Sequence, residues 1–113
     1  MATIIATSRY QRAARRLLTE EEGAALCDAI ASNPEYYPVV PGTGGVRKAR
    51  WRRQGMGKRG GVRVIYYYWI SDDEVYLLYI YAKNEQADMS GDDRKAARVF
   101  VEELKRAKEK YRR

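Results

Sequence analysis

The stretch Gly61–Ile70, GVRVIYYYWI, is β-branched and aromatic almost throughout. That is the composition of a central strand, and it obliges the chain to build a sheet around it. Ser71–Asp72–Asp73–Glu74 reads as a turn, and Val75–Lys83 is a second strand-like run. On the other side, Val46–Arg53 alternates, which places Val46, Lys48, Arg50 and Arg52 on one face. Arg47, Ala49, Trp51 and Arg53 take the other. A Gly-rich connection, Gln54–Gly60, joins this strand to the central one. Three strands with short connections form an antiparallel meander.

Helices flank the meander. Thr3–Ala6 is a short β-like opening, after which Thr7 or Ser8 can cap a helix bearing the apolar stripe Tyr10, Ala13, Ala14, Leu17 and Leu18. Thr19 with Glu22 fits a capping box for a second helix, about Glu20 to Ser32, with Leu26, Ala29 and Ile30 facing the core. Asn33–Pro34 ends it, and the Pro- and Gly-rich residues 35–45 form a loop. Cys27 is a small core filler. Ser90 with Asp93 opens a last helix to about Lys110, with Phe100, Leu104, Ala107 and Tyr111 as its buried stripe. The order β-α-α-β-β-β-α predicts one α+β domain spanning residues 1–113. Its helices are expected on one face of the sheet, leaving the other partly open.

Composition narrows the chemistry. The 113 residues contain no His, which removes the Ser-His-Asp and Cys-His nucleophile arrangements and the usual zinc sites. One Cys cannot form an internal disulfide. No apolar run reaches the roughly 18–20 residues of a membrane span, and the amino end lacks a signal-peptide pattern. The expectation is a cytoplasmic protein with no membrane partner.

The net charge of +7 is unevenly placed. Between Tyr36 and Ser71 there is no Asp or Glu, while Arg47, Lys48, Arg50, Arg52, Arg53, Lys58, Arg59 and Arg63 supply eight cations. Concentrated charge of this kind attracts a polyanion. The cations alternate with Trp51, lead into Tyr66–Trp69 and are surrounded by glycines, the components of an RNA groove. RNA cleavage requires neither His nor metal when the 2′-hydroxyl attacks the adjacent phosphate and the site stabilises the added charge. Lys, Tyr or carboxylates then remain for proton transfer, and Arg offers its donor fork to phosphate oxygens. A cluster of Lys48, Arg50, Arg63 and Lys83 on adjacent strands would supply both kinds of group. The acidic turn 72–74 is no ligand set, and GTGG lacks the Gly-Lys-Ser/Thr of a phosphate-binding loop, so no metal or cofactor is expected.

The stretches PGTGGVRKARW, GKRGGVRVIYYYW and YLLYIYAKNEQADMS, followed by a basic helix, resemble RelE/HigB-type toxins of bacterial type II toxin–antitoxin pairs. The resemblance spans nearly the whole chain and implies the same α+β fold. It further implies a ribosome-dependent mRNA endoribonuclease held in check by a cognate antitoxin. On this resemblance Lys48 and Arg50 line the cleft, Arg63 matches an Arg of the next strand, and Lys83 matches a basic residue after the last strand. Lys58 and Arg59, with Arg47, are implied RNA contacts. Some relatives place a catalytic Tyr before the last helix, where this chain has Met89–Ser90; if an aromatic general base or base-stacking ring is needed, Tyr68 or Tyr81 must serve. Asn84 stands where some relatives have Arg, which leaves the acid role open.

Two other readings share these features: a ParE-like gyrase inhibitor on the same fold, and a non-catalytic RNA-binding module. An antitoxin with an acidic segment, with or without a helix-turn-helix part that binds its own operator DNA, is the partner that the basic patch anticipates.

Overall fold

A computed structural model describes residues 1–53 and 60–111. The implied contacts Lys58 and Arg59 lie outside the described residues. The central strand β3 (Gly61–Trp69) pairs antiparallel with β2 (Arg47–Arg52) on one side and β4 (Glu74–Ala82) on the other. A short strand β1 (Thr3–Ala6) adds parallel to β4, so the sheet runs β1-β4-β3-β2. Three helices complete the expected order: α1 (Ser8–Leu17), α2 (Glu20–Ser32) and α3 (Gly91–Lys110). Both predicted capping boxes form, Thr19 with Glu22 and Ser90 with Asp93.

β1 pairs with β4 only from Glu74 to Leu77. Beyond it α1 takes over the edge. The Thr7 N–H donates to the Leu77 carbonyl at 3.0 Å and its hydroxyl to the Leu78 carbonyl at 2.7 Å. The same hydroxyl accepts the Tyr10 N–H and so caps α1.

The helices divide between the two faces, which corrects the expectation of one covered face. Val62, Val64 and Tyr66 of β3 pack with Tyr10, Leu17, Leu26 and Ile30 of α1 and α2. Ile65, Tyr79 and Tyr81 pack with Ala97 and Val101 of α3, with Met89, and with Val40 and Val46 of the loop before β2. The cause is visible in β3, whose residues Val62, Val64, Ile65 and Tyr66 are all buried. A strand apolar on both faces needs cover on both.

The buried stripe of α3 also differs from the expected one. Ala97 and Val101 are buried, Phe100 and Leu104 half-buried, and Ala107 and Tyr111 exposed. Lys108 holds that end through ion pairs to Asp72 and Glu74.

One irregularity decides which side chains share a face. The β3–β4 register shifts between Ile65, opposite Tyr79, and Tyr66, opposite Leu77, leaving Leu78 as an extra residue. Val75 and Leu77 face the α1–α2 core, whereas Leu78, Tyr79 and Tyr81 face the α3 core. Without this bulge, strand alternation would send Tyr79 and Tyr81 to the α1–α2 side.

Candidate functional site

The ladder between β2 and β3 sets Lys48 opposite Ile65 and Arg50 opposite Arg63; the next ladder sets Arg63 opposite Tyr81. Ala49 is fully buried in the α1–α2 core, which turns its neighbours Lys48 and Arg50 to the α3 side. Thus Lys48, Arg50, Arg63 and Tyr81 share one face, beside the part that α3 covers. Lys83 follows β4 directly; its N–H donates to the Gly61 carbonyl at 3.0 Å and its side chain is exposed.

The Arg63 guanidinium lies over Gly61, with Nη1 donating to the Val62 carbonyl at 3.2 Å. A Cβ at Gly61 would approach that nitrogen to 3.3 Å and the Trp51 carbonyl oxygen to 3.2 Å. Glycine at 61 therefore leaves the room in which Arg63 and the β2 backbone come together.

Lys48 is tied to a carboxylate that lies outside the basic segment. Asp88 pairs with Lys48 at 3.2 Å and with Arg94 of α3 at 3.3 Å, and accepts the Met89 N–H at 2.7 Å. The Met89 N–H and the Lys48 ammonium hold the Asp88 carboxyl below its ordinary range. An ionised carboxylate thus sits among the cations.

Tyr81 is 5% exposed, and its hydroxyl is buried without a hydrogen-bond partner among the described residues. Burial pushes the phenol up, and Asp88 adds to this against the opposing charge of Arg63. At neutral pH it is a protonated O–H with a free donor. Its ring stacks on Tyr79 with centroids 5.8 Å apart, and the Arg9 guanidinium lies 4.0 Å from the centre of the Tyr79 ring. Arg9 also pairs with Asp93 at 3.0 Å.

Two sequence candidates do not join this face. Tyr68 packs against the α1–α2 core, and its hydroxyl donates to Asp73 at 2.7 Å. That bond, with burial, raises the phenol. Even-numbered positions of β3 point away from Arg63, so register separates Tyr68 from the cations. Arg47 likewise points away, donating to the carbonyls of Glu35 at 3.0 Å and Tyr37 at 2.7 Å. Trp51 packs against the α1–α2 core.

The glycines of the GTGG loop serve the turn itself. Thr43 is fully buried, donating to the Val40 carbonyl at 2.7 Å and accepting the Val46 N–H at 3.1 Å. Gly45 has φ +110°, and a Cβ there would meet the Tyr67 ring at 3.3 Å. Arg98 of α3 donates to the Gly42 carbonyl at 2.9 Å, fastening the loop to the helix.

Asp88, Arg94, Tyr79 and Arg9 were not singled out from sequence. Asp88 had a usable signal: it stands two residues before the Ser90 cap, where a short chain returns to the sheet face. No group of three or more His, Cys, Asp or Glu side chains among the described residues could hold a metal ion.

Three cations on one face of neighbouring strands, with the Tyr81 phenol beside Arg63, suit an oxyanion with developing charge. Comparison with known proteins agrees on the fold. The intact RelBE toxin–antitoxin complex of E. coli contains a chain similar to this one at 13% identity and a TM-score of 0.57, over 73% of this chain and 96% of that one. A mutant of E. coli toxin RelE in the free state is similar at 16% identity and 0.55, over 77% and 90%. A family model described as the RelE toxin of the RelE/RelB toxin–antitoxin system matches residues 2–111. With nearly its whole length matched, the chain belongs to the RelE toxin family.

Proposed function

We propose that this toxin is an mRNA endoribonuclease that acts on the ribosome. The observation that carries the reading is the register that gathers Lys48, Arg50, Arg63 and Tyr81 on one face of a protein without His. The 2′-oxygen attacks the adjacent phosphorus, a new P–O bond forms, and the bond to the 5′-oxygen breaks, leaving a 2′,3′-cyclic phosphate. Arg50 and Arg63 stabilise the additional negative charge on the phosphoryl oxygens, and the Tyr81 O–H, buried beside Arg63 in the free protein, donates to the same centre once substrate binding uncovers it. Lys48 is the group placed to take the 2′-proton, and Lys83 the one placed to protonate the departing 5′-oxygen. The incoming phosphate competes with Asp88 for Lys48. Alignment of the 2′-hydroxyl is the ribosome's contribution, since a Lys base is poorly matched to neutral pH.

Its inhibitor is a cognate antitoxin, supported by the likeness to a chain of the RelBE toxin–antitoxin complex and by the RelE family match. An acidic antitoxin segment laid over the cations is the complementary partner, and the complex is a candidate for binding its own operator.

Induced expression is expected to arrest growth and to cut messages within codons on ribosomes. Arg63→Ala or Lys83→Ala should relieve toxicity in a protein that still folds. A folded, soluble Arg63→Ala protein that remains fully toxic contradicts the site, and DNA-damage signalling without mRNA cleavage points to gyrase instead.

A further inference from the structure

The basic segment around β2 and β3 is not the only concentration of cations. Before Glu20 the chain has no acidic residue, and Arg9, Arg12, Arg15 and Arg16 all fall in the ten residues of α1. This charge was hidden in the whole-chain balance by five acids and no base over residues 20–35. The helix has no acid of its own to pair with these arginines.

Position links α1 to the candidate site. Because β1 stops at Ala6, α1 occupies the edge of β4 where a fifth strand could lie. Arg16 reaches Glu85 at 3.0 Å, two residues beyond Lys83. Arg9 reaches Asp93 and the ring of Tyr79, which stacks on Tyr81. At the far end Arg53 donates to the Leu17 carbonyl at 3.5 Å, so the last turn of α1 also meets the end of β2. Arg12 and Arg15 are exposed and make no ion pair with the described residues. Arg15 only donates to the Gln11 carbonyl at 3.4 Å.

We propose that the arginine face of α1 is a second RNA-backbone contact, continuing the candidate cleft past the edge of the sheet. The inference rests on the proposed action on ribosome-bound mRNA and extends it to phosphates remote from the cut. All four cations are arginines, whose planar forks match phosphate oxygens better than an ammonium does. Arg12 and Arg15, exposed and without an ion pair among the described residues, are free to exchange water and counterions for a polyanion.

The test measures binding of the whole toxin to 70S ribosomes carrying a short message, across a salt series, with cleavage at saturating toxin measured in parallel. R12Q/R15Q is expected to weaken binding roughly tenfold and to reduce the log–log salt slope by about 1 to 2. The cut rate at saturation should stay unchanged, and R12K/R15K should retain most of the slope. If wild-type toxin binds and cuts while R12Q/R15Q has the same affinity and slope, the α1 contact is overturned and the proposed function stands. Unchanged ribosome affinity with a weakened antitoxin complex makes α1 a protein-docking face, which also overturns it. If wild-type toxin neither binds nor cuts, both readings fall together.

Discussion

Arg50 and Arg63 are direct cross-strand partners in the β2–β3 ladder, on the face that also carries Lys48 and Tyr81. Like charges directly opposite one another destabilise a sheet, by roughly 0.2–1 kcal/mol on the scale of such pairs. The sheet keeps this pair without a carboxylate between its strands, which is the electrostatic condition for binding an anion. Replacing Arg63 by Gln should therefore leave thermal stability unchanged or slightly raised, while RNA cleavage is lost. A melting curve with an activity assay on the same preparation checks both.

The two tyrosine candidates separate cleanly by substitution. Tyr81→Phe removes a buried hydroxyl without a partner, so stability should hold or rise by about 1 kcal/mol. Cleavage at saturation should fall roughly 10- to 100-fold if the O–H donates to the reacting phosphate. Tyr68→Phe breaks the bond to Asp73 on the opposite face and should leave cleavage unchanged.

That contrast marks the limit of what the sequence discloses. Strand and helix positions were legible because capping boxes, alternation in β2 and the turn at 71–74 are local signals. The choice between Tyr68 and Tyr81 was not, because it depends on the extra residue at Leu78. Nothing within VYLLYIYA marks Leu78 as the bulge, since every side chain there is compatible with either face. Likewise, cover is expected from the sequence on one face; the unbroken apolar run in β3 accounts for the cover found on both, and which helix supplies it is a tertiary matter. Asp88 enters the cation cluster because the chain returns to the sheet face just before the Ser90 cap, a position whose contact with Lys48 is set by tertiary packing.

Asp88 restrains Lys48 in the free protein, so Asp88→Asn should release it. RNA affinity is expected to tighten several-fold as the competing carboxylate is removed. Binding isotherms for a labelled single-stranded RNA, wild type against variant, provide the check; weaker binding by the variant would show that Asp88 supports the cluster instead of competing with its ligand.

Acid stability reports on the α3 cap. Burial would raise the Asp93 carboxyl, yet Arg9, Gln86 and the Ser90 N–H hold it down to about 2. A carboxyl depressed below its unfolded value of roughly 3.9 stabilises the fold above that value and loses the contribution as pH falls toward 2. Asp93→Asn should cost about 1 kcal/mol at neutral pH and flatten the stability profile between pH 4 and 2. Thermal melts across that range measure it.

The most direct test of the central claim uses purified translating ribosomes, a defined message and the toxin, with the cut ends mapped and their chemistry determined. Cuts are expected within codons, only on the ribosome, ending in 2′,3′-cyclic phosphate, and disappearing with Arg63→Gln while the fold is kept. Intact messages in the presence of active, folded wild-type toxin would contradict it.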